Sequence, residues 1–152
     1  MAQKTFTALS VLTASDLNTY LMHEGGAWTS FSPTVTQSVG VTFTNNYSKY
    51  ARSGRMITWS FSLTMTSAGT AANNVVVSVP VAATSTTALA GSGSVYDASV
   101  TTNYSGALAG LSVTTVIFVG DWSGSGGWGF SPNLALAIGD VLYGSITYEA
   151  AT

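Results

Sequence analysis

The sequence predicts an all-β fold, an antiparallel β-sandwich or jelly roll with one short N-terminal α-helix. Three observations predict it. From Trp28 onward the apolar residues recur with a period of two, the spacing of half-buried strands. Short runs of this kind are separated by glycine-bearing turns, the habit of sandwiches and barrels rather than of α/β domains. The 152 residues are 46% apolar but only 7% charged, with 21 serines and 22 threonines. That composition buries a core and wets its surface with hydroxyls, where an ordinary domain carries roughly 25% charged residues.

The helix comes first along the chain. Thr13 is a good N-cap, because its hydroxyl accepts from free amides of the first turn. Asp16 stands where a carboxylate favours the positive helix end, and Leu12 and Leu17 have the spacing of a hydrophobic staple. Leu17, Tyr20 and Leu21 then form a one-sided apolar stripe that Gly25-Gly26 ends. So short a helix is marginal alone in water. Its stripe lies either on its own β-domain or on a neighbouring subunit. In the second case residues 1–26 are an arm and docking helix, with Leu12, Leu17, Tyr20 and Leu21 as its contacts, and residues 27–152 are the β-domain.

The clearest strand is 56–66, where Ile57, Trp59, Phe61, Leu63 and Met65 alternate with serine and threonine. Burying five such side chains contributes roughly 7–15 kcal/mol before entropy is charged. Its hydroxyl face meets either water or another subunit. Further strands are expected at 34–37, 39–44, 47–51, 74–79, 93–96, 103–107, 112–119, 127–130 and 141–149. A tight turn over 52–55 joins two of them, loops of small residues cover 66–73 and 82–88, Pro80 ends the valine strand, and Gly139-Asp140 turns into the last strand.

Several function classes fall away. Four cations cannot neutralise a useful number of phosphates, so a nucleic-acid footprint is excluded. Without cysteine there is no disulfide framework or thiolate metal site. His23 is the single histidine, at the expected helix end, and Asp16, Glu24, Asp97, Asp121, Asp140 and Glu149 are scattered singly. No paired-carboxylate, metal or nucleophile motif emerges, so neither enzyme activity nor a cofactor is expected. Residues 124–129 match the Gly-x-Gly-x-x-Gly string, but Phe130-Ser131-Pro132 follows instead of the required helix. The same loop sets Trp122, Trp128 and Phe130 among flexible glycines. Exposed rings of this kind stack on sugars or fill a partner's pocket, and buried ones cap the sandwich or an interface. The sequence shows neither a secretory leader nor a membrane-spanning run, so assembly in a cytoplasm is expected.

Strands this poor in charge leave their β-surface undefended, which predicts sealing against copies of the same chain. The run VLTASDLNTYL at 11–21 carries a further indication, with residues 50–58, 91–97 and 136–149. Together they resemble small minor tail and fibre-like virion proteins of tailed bacteriophages. The resemblance implies a non-enzymatic structural component of the virion, a homotrimer with a jelly-roll-like domain that contacts other virion proteins. Similar small β-proteins decorate capsids, so a capsid decoration or head-fibre role is the alternative, as is binding of a host-surface glycan.

Overall fold

A computed structural model describes residues 28–120 and 126–151. The expected helix with Leu12, Leu17, Tyr20 and Leu21, and also Trp122, lies outside the described residues. The described chain is all-β: β1 (Thr29–Ser30), β2 (Val35–Gln37), β3 (Val39–Val41), β4 (Phe43–Ser53), β5 (Met56–Met65), β6 (Val76–Ser78), β7 (Ala90–Asp97), β8 (Thr102–Ser112), β9 (Thr115–Val119) and β10 (Val141–Glu149). A 3-10 turn at Thr86–Ala88 interrupts the loop before β7. Every strand pairing is antiparallel.

The strands form one sheet in the order β1-β4-β5-β10-β7-β8-β9-β6-β2-β3. β3 and β4 stand eight positions apart in that order, ~38 Å in a flat sheet at ~4.8 Å per step. Yet only Thr42 separates them in the chain, a link of at most ~7 Å. The sheet therefore curls until β3, at one edge, comes to the start of β4, next to the other edge. Thr42 knits the seam: its carbonyl accepts from the Thr66 amide at 2.8 Å, and its own amide donates to Ser67 Oγ at 2.9 Å.

The curl encloses the core. Ile57, Trp59, Phe61, Leu63 and Met65 of β5 all point inward and are buried. They meet Leu142, Ile146 and Tyr148 of β10, Leu108 of β8 and Phe118 of β9. Trp59 and Phe61 stack at 4.4 Å between centroids, and Phe61 meets Phe118 edge-on at 6.3 Å. The Trp59 indole N–H donates to the buried Ser48 Oγ at 3.0 Å, which satisfies both polar groups.

A row of inward positions gives Phe61 its room. Phe61 stands opposite Gly144, Gly144 opposite Gly93, and Gly93 opposite Gly106. A Cβ at Gly144 would collide with Cε1 and Cζ of the Phe61 ring. One at Gly93 would come within 2.9 Å of Leu108 Cδ2 and 3.0 Å of Phe118 Cε1. The rings and the leucine lie flat against bare backbone.

Three expected elements differ. Residues 112–119 are not one strand: Ser112 Oγ accepts from the Thr114 amide at 3.2 Å, and the chain reverses there into a β8–β9 hairpin. Residues 39–44 bend at Thr42, so the run divides between β3 and β4. Residues 127–130 form a tight turn, with the amides of Phe130 and Ser131 both donating to the Gly127 carbonyl. Positive φ at Gly126 and Gly129 takes the backbone out of the β region.

Candidate functional site

The strand directions sort the loops onto the two ends of the curled sheet. The β4–β5 turn, the β8–β9 turn and the end of β10 lie at one end, with Arg52, Arg55 and Glu149; Arg55 and Glu149 form an exposed ion pair at 3.1 Å. The other end gathers the β2–β3 turn, residues 66–75, residues 98–101 and residues 126–140. Among the described residues, these loops carry no exposed charge. They do expose four large apolar side chains: Val39 (49%), Val100 (56%), Phe130 (52%) and Ile138 (73%).

Buried polar groups hold these loops in place. Gln37, the last residue of β2, is fully buried and joins two loops to the sheet. Its Nε2 donates to the Asn73 carbonyl at 3.1 Å and the Leu134 carbonyl at 2.7 Å, while Oε1 accepts from the Leu136 amide at 2.8 Å. Asp140 does the same for the turn beside Ile138. Its Oδ1 accepts from the Ala98 amide at 2.9 Å and its Oδ2 from the Ala137 amide at 2.8 Å. Burial pushes the Asp140 carboxyl up, the two amides pull it down, and neighbouring Asp97 adds to the rise. Asp97 is itself buried, its Oδ1 accepting from the Ser99 amide and hydroxyl. Two carboxylates far apart in sequence thus meet beneath the uncharged end, where each serves as an anchor for loop amides. The sequence hides this pairing, because it depends on β7 and the approach to β10 lying side by side.

The aromatic loop needs a correction. Of the two roles open to Trp128, an exposed contact for a glycan or partner and a buried cap, the first does not hold, because the ring is fully buried. Its ring packs edge-on to Tyr104 at 6.0 Å, and the turn backbone bonds on both sides, to the Phe118 carbonyl and the Val75 amide. The Gly126–Gly129 turn folds the indole inward, leaving Nε1 without a hydrogen-bond partner among the described residues. Phe130, two residues on, is the ring of this loop that faces out.

The outer face of the middle strands is the other distinctive surface. Strand register sets Tyr47, Ser62, Tyr143, Ser94 and Ser105 in one row. Lys49, Ser60, Ser145, Ser92 and Ala107 make the next. Lys49 is the one ionic group in these two rows, and its Nζ lies 5.8 Å from the Tyr47 ring centroid. Ser60 and Ser145 hydrogen-bond through their hydroxyls at 3.0 Å, as Thr58 and Thr147 do at 3.1 Å.

Among the described residues no three histidine, aspartate or glutamate side chains gather as metal ligands, and no helix is long and apolar enough to cross a membrane. No protein-family model, curated protein or solved structure matches the chain.

Proposed function

We propose that this chain is a non-enzymatic structural protein of a tailed-bacteriophage virion. It assembles as a homotrimer with a jelly-roll-like domain, in a minor tail, tail-tip or fibre-like position. The observation that carries the self-association is the uncharged end, where Val39, Val100, Phe130 and Ile138 stand exposed around buried carboxylates. Grouped apolar side chains without a charged rim mark an interface. The resemblance of residues 11–21 supports the virion assignment and makes the preceding arm the docking element, through Leu12, Leu17, Tyr20 and Leu21. A capsid decoration or head-fibre position satisfies the same features and is the alternative.

Imaging of intact particles from cells that supply a tagged copy of the chain tests this reading. The proposal expects density for the chain at the tail or its tip. It also expects Leu17→Asp to reduce incorporation at least ten-fold while the purified variant keeps the wild-type β-sheet circular dichroism. Particles that never contain the tagged chain would refute the virion role, and full incorporation of Leu17→Asp would refute the docking arm.

A further inference from the structure

The outer face of the sheet holds a shallow depression of about 420 Å3, lined by Ser60, Ser92, Ser94, Ser105, Ser145 and Tyr143. Its floor is the backbone of the row Phe61-Gly144-Gly93-Gly106. We propose that this depression binds a neutral oligosaccharide, with one sugar ring stacked on Tyr143 and its hydroxyls bonded to the surrounding serines. The site is separate from the apolar end and from the turn at 126–130, so it neither requires self-assembly nor conflicts with it.

Four features carry the assignment. Each serine hydroxyl both donates and accepts, which matches the mixed donor and acceptor set of a sugar. Among the described residues Ser92, Ser94 and Ser105 have no side-chain hydrogen bond, so their hydroxyls are available to a ligand. Tyr143 is 43% exposed at the edge of the depression, and a half-exposed phenol offers an apolar face with a polar tip. No ionic group lines the depression, so a charged ligand would lose water without gaining a counter-charge. A second copy of the chain fits this face poorly. Protein interfaces bury their central area with aromatic and aliphatic anchors, and in the depression Tyr143 alone stands among small hydroxyls. The apolar end supplies such anchors instead.

Nuclear magnetic resonance of the 15N-labelled full chain tests the site. Cellohexaose, maltohexaose and chitohexaose are titrated to millimolar concentration, with oligogalacturonate as the charged comparator. At least one neutral compound is expected to shift the amides of residues 92–94, 105–106 and 143–145 in a saturable way. Tyr143→Ala then weakens binding ten-fold or more, and Ser105→Trp, which fills the depression from the exposed side, abolishes it. Both variants keep the dispersion of the wild-type spectrum. The proposal is overturned if no neutral compound moves these amides, if oligogalacturonate alone moves them, or if binding survives both substitutions. It is equally overturned if the same amides shift with protein concentration in the absence of sugar, which would make the face a contact between copies.

Discussion

Gln37 shows how much one neutral side chain holds at the apolar end. Its amide supplies two donors and an acceptor to loops more than thirty residues away on either count, at separations of 36, 97 and 99 positions. A carboxylate of the same shape faces two carbonyls with no proton to give. Gln37→Glu is expected to cost about 3 kcal/mol or more at neutral pH, read from urea denaturation midpoints, with part of the loss recovered as acid protonates the new group. Asp140 presents the reverse problem, two amides aimed at two oxygens. Asparagine turns its NH2 toward one of those amides, a cost of about 1–3 kcal/mol. The pH dependence follows from its raised pKa. The folded state holds that proton more tightly than the unfolded chain, so the contribution is full below the ordinary value of 3.8. It is lost as pH rises through the raised value. The stability gap between the wild type and Asp140→Asn should therefore narrow as pH rises across that window, and a constant gap would contradict it.

At the scale of elements, β5 and β10 show how an aromatic ring is fitted against a neighbouring strand. Phe61 opposite Gly144 lets an aromatic ring lie on the neighbouring strand. Gly144→Ala forces the ring aside and is expected to cost about 1–3 kcal/mol by overpacking. Outward-facing Ser145→Ala should cost under about 1 kcal/mol. Equal losses in thermal denaturation would remove the role given to the glycine row. The same elements show what the sequence discloses. β5 alternates so regularly that its buried face is legible residue by residue, and β10 runs over Val141–Glu149 as the pattern predicts. Turns governed by local chemistry, such as Gly54 and Gly139 with positive φ, are legible too. The bend at Thr42 and the hairpin at 113–114 were not, because each hinges on which side-chain oxygen meets which amide. Trp128 stays open to both readings for a related reason: glycines on both sides allow the ring to face either way, and only its packing into the core against Tyr104 selects the inside. The meeting of Asp97 with Asp140 belongs to topology and leaves no local trace.

At the scale of the molecule the two ends of the curled sheet differ in charge. Arg52, Arg55 and Glu149 wet one end beside exposed Met56, Leu111 and Val113, and the other joins exposed Val39, Val100, Phe130 and Ile138 to loops without an exposed charge among the described residues. Placing such an end in water leaves apolar surface at roughly 25 cal/mol per Å2 of lost burial, a steady drive toward association. The hydroxyl face between the ends is lined by serine and threonine, which leaves it open to small polar ligands. Sedimentation equilibrium of the full chain over a wide concentration range tests this polarity most directly. The account predicts a mass about three times 15.6 kDa for the wild type, falling to the single-chain value when Val100→Lys and Ile138→Lys are combined. A wild-type chain that remains at 15.6 kDa up to the highest concentration, or a doubly substituted chain that assembles as before, would contradict it.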